Sequence, residues 1–503
     1  MATASPSASA ASPAADRRRW LALAVVMTAS FMDLVDVTIV NIAMPAIQRD
    51  IGASFSVLQW LSEGYALAFA IGLITGGRLG DIYGRKRVFL LGMGGFTLAS
   101  MLCGVVSDPQ LLVAARVLQG LMGAMMVPQV LSIIHVTFPA HERGKVFGMF
   151  GAVIGLGAVS GPLLGALLTQ WDLFGLQWRP IFLINLPVGI AGLILGRRFI
   201  IESKAPKALR LDLVGVALAS LGLLMFLYPL TQGREHDWPL WGFVSMAGAV
   251  PVLAAFLAYE RRKTRKDGSP LVELSLFKVK SFAAGIGVQT VFGLTTGIFF
   301  MVWTFYMQIG LGWSALRAGL TGIPFSLAVS TAAGMSVQKL VPRFGRKVLQ
   351  AGALVMAAGV LLYIWEAGHY GASIASWQMA APLIVMGVGM GLIVAPITDM
   401  VLSEVPREHA GSASGLINTV QQLGNAIGLG LVSVAFFGVV DKADPRHEAL
   451  ADIFGGAFTN ALWWVVGGLV VVFALMFLLP SGNRTAPAAG EEREPAEAEV
   501  VAA

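Results

Sequence analysis

Two aspartates stand inside a stretch that is otherwise apolar. Asp33 and Asp36 fall within the run from Trp20 to Met44, three residues apart, and so share roughly one face of a helix. An ionisable group at the centre of a bilayer is costly, and its presence there points to a function or to a specific partner. Two carboxylates sharing a low-dielectric setting can load and release a proton near neutral pH. Arg116 opens another apolar run, Arg116-Val117-Leu118-Gln119-Gly120-Leu121-Met122-Gly123. A buried guanidinium keeps its charge, so Arg116 is a counter-ion for Asp33 or Asp36, and the spacing does not choose between them. The plainer role for Arg116 is an anchor that reaches lipid headgroups from the helix end. Glu63, three residues after Trp60, either meets a cationic substrate near an aqueous mouth or is solvated there. Trp303 and Tyr306 belong to an aromatic stripe that can line an apolar substrate cavity, although such stripes more often serve helix packing or lipid contact. The candidate substrate contacts are thus Asp33, Glu63, Trp303 and Tyr306.

Groups of this kind need membrane helices to hold them. The chain of 503 residues is 56% hydrophobic and only 13% charged, too little charge to cover a soluble surface of this size. Fourteen runs of about 20 apolar residues can be drawn, the first over 20–44 and the last over 457–480. With the N-terminus cytoplasmic, 28 of the 35 Lys and Arg fall in cytoplasmic segments, which places both ends inside. The expected organisation is an all-α polytopic membrane protein arranged 6+2+6. A disordered cytoplasmic tail (1–19) precedes a six-helix bundle (20–197), two inserted helices with cytoplasmic loops (198–280), a second six-helix bundle (281–480) and a disordered tail (481–503). The net charge of +6 is explained by this topology and is not a nucleic-acid signal. The single cysteine, Cys103, excludes an internal disulfide and a cysteine-based metal site, and the six histidines have no ligand spacing. No phosphate-binding loop of the G-x-x-x-x-G-K-S/T type is present, which argues against an ATP-driven pump. No cofactor, metal, nucleic acid or obligatory protein partner is expected. The partners implied are a small-molecule substrate, protons and the bilayer.

Between the second and third runs lies a very short cationic turn, Gly77-Arg78-Leu79-Gly80-Asp81-Ile82-Tyr83-Gly84-Arg85-Lys86-Arg87. Its glycines let helix ends approach closely, and its cations hold it on the cytoplasmic side. The arrangement of Gly77, Leu79, Asp81, Gly84, Arg85 and Lys86 resembles the loop signature of the major facilitator superfamily. The series Asp36, Thr38, Asn41, Ala43 and Pro45 is similar to the first-helix motif of its fourteen-span drug:proton antiporters (the EmrB/QacA type), with Asp33 an additional acid outside the motif. Arg116, Gln119, Gly120 and Gly123 match the R-x-x-Q-G-x-x-G motif, whose arginine the resemblance implicates in proton transfer. Gly161, Pro162 and Gly165 resemble the antiporter G-P-x-x-G core, with the role of a hinge and seal. Trp178-Arg179-Pro180, Ile184-Asn185-Leu186-Pro187, Pro270-Leu271-Val272 and Ala410 to Gly415 fit the same subfamily. A weaker echo, Phe344-Gly345-Arg346-Lys347, repeats Tyr83-Gly84-Arg85-Lys86 with Pro342 in place of the acid, as expected of repeated halves.

The resemblance implies a transporter of the cytoplasmic membrane that exports amphiphilic or cationic drugs in exchange for protons by alternating access. Asp33, Asp36 and Arg116 would couple protons. Gly77, Asp81, Gly84, Arg85, Lys86, Gln119, Gly120, Gly161, Pro162 and Gly165 would serve the conformational change. The alternatives are a dedicated exporter of one endogenous metabolite or siderophore, and a membrane sensor or scaffold without transport. Buried Asp33, Asp36 and Arg116 argue against the scaffold.

Overall fold

Each apolar run coincides with a helix in the computed structural model. The described residues are 13–171, 175–205, 211–233, 238–266, 270–403, 405–406, 409–440, 442 and 449–479. Most of the two tails therefore lies outside them. Among the described residues the chain is helical, without strands. In order the long helices are α1 (Pro13–Ile51), α2 (Phe55–Tyr83), α3 (Arg85–Val105), α4 (Pro109–Thr137), α5 (Ala140–Gln170), α6 (Pro180–Phe199) and α7 (Leu213–Gln232). They continue as α8 (Leu240–Lys266), α9 (Lys280–Gly310), α10 (Leu316–Phe344), α11 (Lys347–Tyr370), α12 (Ala380–Ser403), α13 (Ala410–Val440) and α14 (Leu450–Leu475). Twelve of these are candidate membrane spans by length and hydropathy; α2 and α5, 29 and 31 residues long, complete the series of helices.

Local sequence sets the helix starts. Asp108 accepts from the Gln110 and Leu111 amides at 2.9 Å, with Pro109 at the first helical position of α4. Asp212 accepts from the Gly215 amide at 3.0 Å at the start of α7. At Gly84 the backbone has φ +107°, so α2 gives way to α3 without a loop and a side-chain-bearing residue would be strained there.

The helices pack as two halves with matching neighbours. In α1–α6 the main pairings are α2 with α4, α3 with α4, α1 with α5, and α6 with α1 and α3. In α9–α14 they are α10 with α12, α11 with α12, α9 with α13, and α14 with α9 and α11. The contacts between halves match as well, α2 lying on α13 and α5 on α10. Helices α7 and α8 pack on each other, and α7 sits against both α2 and α13, over the seam. Leu91, Ile194, Leu240 and Val250, each more than 60% exposed, show the outer surface to be apolar, as lipid requires. Three π-helical turns, Tyr306–Gly310, Ser336–Leu340 and Ser433–Phe437, interrupt α9, α10 and α13.

Candidate functional site

Asp36 is fully buried inside the first half, and four helices supply its neighbours. Its Oδ2 lies 2.6 Å from Arg116 Nη1 of α4. Its Oδ1 accepts from Gln119 Nε2 at 2.9 Å and from Asn185 Nδ2 of α6 at 2.7 Å. Asn185 also donates to Ser100 Oγ of α3 at 2.9 Å, and Ser100 donates to the Phe182 carbonyl. Arg116 also donates from Nη1 to Gln119 Oε1 at 2.7 Å and from Nε to the Leu61 carbonyl of α2 at 3.0 Å, while Tyr65 stacks 4.4 Å from its Cζ. Such a pair is held in low dielectric with the help of these additional hydrogen bonds to both partners.

Asp33 takes a different partner. One helical turn before Asp36, it is 6% exposed and accepts from the Tyr65 hydroxyl at 2.6 Å. Tyr65 thus touches both parts of the site, as donor to Asp33 and as a face for Arg116. Gly120 and Gly123 make room for it: a Cβ at Gly120 would run into the Tyr65 carbonyl, and one at Gly123 would meet Asp33 Oδ1 at 3.1 Å. Gly161 plays the same part for α5, where a Cβ would collide with Thr38 Oγ1 of α1. Gly165 is buried on the same helix, and the Pro162 side chain lies outside the described residues.

The Gly77–Arg87 turn is joined to the other half. Asp81 is 1% exposed, with Arg85 Nη2 at 2.7 Å. Its two oxygens also accept from the amides of Gly411 at 3.0 Å and Ser412 at 2.9 Å, the free N–H groups that open α13. A carboxylate there satisfies orphan donors and meets the positive end of the helix dipole. Gly77 allows the approach, for its backbone lies directly on that of Gly411 and Gly415. At the same end, Ser132 of α4 and Ser414 of α13 have hydroxyls 3.2 Å apart, and His135 Nε2 lies 3.2 Å from the Val405 carbonyl. Lys86 Nζ donates to the Arg197 carbonyl at the end of α6 at 2.7 Å, and Glu202 accepts from the amides of Lys86 and Arg87. This end of the molecule, the latch end, is closed by contacts between the halves.

The inserted pair enters the same assembly through charge. Arg78 is 1% exposed and none of its guanidinium nitrogens is hydrogen-bonded; its charge is offset by Asp81, Glu260, Glu273 and Asp212. Glu260 of α8 accepts from the Val272 amide at 3.0 Å, and Tyr259 donates to Asp212 at 3.1 Å. The preceding residue of that connection, Leu271, accepts from Ser412 Oγ of α13 at 3.2 Å. At the opposite end Arg179 binds Asp50 at 2.7 Å and holds its carboxyl below the usual range.

The structure therefore brings Asp33, Asp36, Arg116, Gln119 and Gly120 together, and gathers Gly77, Asp81, Gly84, Arg85 and Lys86 at the latch. It does not bring Trp303 and Tyr306 to either group. Trp303 Nε1 donates to Tyr363 of α11 at 2.8 Å, and Tyr306 stacks on Phe458 of α14 at 4.5 Å, both buried within the second half. These two side chains pack helices in this conformation. Glu63 is half-buried on α2. Tyr65 and Ser100 were not marked by the sequence, and Asn185 was marked only as part of a resemblance; none of the three carries a charge that would betray it in an apolar run.

A two-fold repeated helical bundle with a buried, hydrogen-bonded acid–base pair is the architecture of a membrane transporter. The chain matches the Major Facilitator Superfamily over residues 26–429, and it belongs to that family. It is 44% identical over 452 residues to the probable actinorhodin transporter of Streptomyces coelicolor, covering 90% of this chain and 77% of the relative. It is 33% identical over 482 residues to the puromycin resistance protein pur8 of Streptomyces alboniger, 94% of each chain, and 32% identical over 455 residues to the tetracenomycin C resistance and export protein of Streptomyces glaucescens, 89% of this chain and 82% of the relative. Among solved structures the fold is similar to the human organic anion transporter MFSD10, with a TM-score of 0.63 at 17% identity over 91% of this chain and 99% of that one. The chain is thus a multi-pass membrane protein of a transporter family.

Proposed function

We propose that this protein is a proton-coupled antiporter exporting amphiphilic or cationic compounds of the drug and antibiotic type across the cytoplasmic membrane. The observation that carries the reading is the buried Asp36–Arg116 pair with Asp33 one turn away, in a chain whose relatives are named as antibiotic exporters. We further propose the fourteen-span arrangement of the EmrB/QacA type, with both termini cytoplasmic. Helices α2 and α5 exceed the roughly 20 residues a span needs. The Lys and Arg bias supports the orientation and makes the latch end cytoplasmic.

In this reading the described conformation is closed to the cytoplasm. Protonation of Asp36 removes the counter-charge of Arg116, and protonation of Asp33 changes its bond with Tyr65. Both changes fall on α2, through Tyr65 and the Leu61 carbonyl. Asp81 lies 16 residues beyond Tyr65 on the same helix, about 24 Å away, so repacking at the acids shifts the latch. Gly161 and its neighbours on α5 provide the close-packed surface against α1 on which the half rocks. The driving force is adequate, at about 2.3 kcal/mol per charge per 100 mV and about 1.4 kcal/mol per pH unit.

A second reading, dedicated export of one endogenous compound, is favoured by the relative at 44% identity, which is named for a single antibiotic. The test is uptake of a cationic fluorescent dye by inverted vesicles under an imposed pH gradient, for wild type, D36N and D33N. Gradient-driven uptake lost in D36N supports proton coupling at α1, and uptake retained in D36N sinks it. A folded wild type that moves no dye transfers the case to the dedicated exporter.

A further inference from the structure

The insert also carries a groove at the latch end. Arg261 and Arg265 of α8 and Lys278 of the short 3-10 helix Leu274–Lys278 line it, together with Leu257, Phe277 and Glu273, around a volume of about 770 Å³. Leu257, Arg261 and Arg265 are four residues apart, a single stripe along α8 that passes from apolar to cationic as the helix leaves its hydrophobic stretch. Leu257 and Phe277 are 44% and 40% exposed, and only 17% of the span window of α8 is buried by protein, so lipid is what surrounds the apolar end. Among the described residues no ion pair holds Arg261, Arg265 or Lys278. The one acid of the groove, Glu273, is 8% exposed; it accepts from the Ser275 amide, and its charge is offset by Arg78 behind it.

We propose that this groove binds an anionic phospholipid of the leaflet on the latch side. Its phosphate lies among Arg261, Arg265 and Lys278, and the first carbons of its chains lie along Leu257 and Phe277. The charge is complementary, the order of apolar and cationic residues matches a lipid's own, and basic pockets beside spans are the physical form such recognition takes. A soluble phosphate would make no use of Leu257 and Phe277. The back wall connects the site to the latch: Glu273 acts on Arg78 through charge, and two residues earlier Leu271 accepts from Ser412 at the start of α13. A bound lipid braces the 270–278 connection against the latch and so favours the latched conformation. The inference concerns the insert and is independent of what is transported.

The test compares two double variants of the full-length protein in phosphatidylcholine nanodiscs with increasing fractions of phosphatidylglycerol. R261Q/R265Q strips the groove, whereas R262Q/K266Q removes the same charge from the same helix away from it. The readouts are phosphatidylglycerol retained in native mass spectrometry and the lipid-dependent rise in thermal midpoint. At about a fivefold factor for each cation that meets the phosphate, R261Q/R265Q is expected to weaken retention by roughly 25-fold, while R262Q/K266Q, outside the groove, is expected to lose far less. Equal loss in both variants, or in neither, overturns the site. Displacement of the lipid by millimolar glycerol phosphate overturns the lipid as its occupant and leaves a soluble phosphate in its place.

Discussion

Adding one methyl group at Gly77 tests whether the contact of α2 with α13 holds the latch. A Cβ at Gly77 would strike the Gly411 carbonyl oxygen and lie 3.1 Å from both the Gly411 carbonyl carbon and the Gly415 Cα. Carbon atoms rest at about 3.5–4.0 Å, and backbone cannot rotate aside as a side chain can, so the helices must separate by something like half an ångström or more. Overpacking of this sort costs about 1–3 kcal/mol, and at about 2 kcal/mol the latched conformation loses roughly 30-fold in its equilibrium with the open one. Two cysteine probes in a C103A background read that equilibrium. The pair S132C/S414C, whose native hydroxyls are 3.2 Å apart, forms a disulfide in the latched form. A lone S132C is alkylated only when the latch opens, because Ser132 is fully buried. G77A is expected to speed alkylation where open molecules are the minority and to slow cross-linking where they are the majority. G94A, whose Cβ would meet nothing nearer than Leu193 at 3.8 Å, is expected to do neither. If both rates in G77A match those in G94A, the α2–α13 contact does not govern the latch.

Other outcomes follow from the same geometry. D36N leaves Arg116 charged and buried without its counter-ion, and is expected to lower stability by about 3–5 kcal/mol, read as a fall in the thermal midpoint of the purified protein. Y65F removes the donor to Asp33 without changing packing, and should cost about 1.5–3 kcal/mol by the same measurement. R78Q leaves Asp212, Glu260 and Glu273 without the central guanidinium; the loss of midpoint should be largely restored by E260Q in the double variant, and simple additivity would refute the joint. R179Q should lower the midpoint at neutral pH. Asp50 is held below its ordinary value by Arg179, so its contribution is present above the unfolded carboxylate range and fades as pH falls through it. The gap between R179Q and wild type should therefore close in acid, and a gap that persists there would contradict this.

The fold was legible in the sequence because hydrophobic runs and cationic turns are local signals. Every run drawn from composition meets a helix. The site was legible only where a charge made burial expensive. Asp33, Asp36 and Arg116 stood out for that reason, yet Asp36 and Arg116 are 80 residues apart, and nothing local says that Asp36 takes the arginine while Asp33 takes Tyr65. Tyr65, Ser100 and Asn185 hydrogen-bond at modest cost in any helix, so their place in the site is a product of packing. Asp212 and Glu260 stand at or near helix ends, where charges are ordinary, and nothing local marks them. Glu260 meets the 270–273 connection, which folds back to place the Val272 amide on it, and no periodicity reveals that.

The two halves differ at one position of their shared glycine-arginine-lysine turn. Both carry a glycine-arginine-lysine turn with a positive φ at the glycine, Gly84 in the first and Gly345 in the second. In both, a cation of that turn binds carbonyls at the end of the half's last helix: Lys86 reaches Arg197, and Arg346 reaches Phe477 and Leu479. Those bonds stay within a half and survive any rocking. Asp81 of the first turn reaches across, to the amides that open α13, and Pro342 stands where its counterpart would be. Two such bridges at one end would deepen the closed state without adding any means of opening it. In the proposed mechanism the Asp81 bridge, placed on the helix that also carries Tyr65, is released by an event at Asp33 and Asp36. In the proposed mechanism, the lost symmetry of the repeat makes α2 the element through which the acid site and the latch communicate.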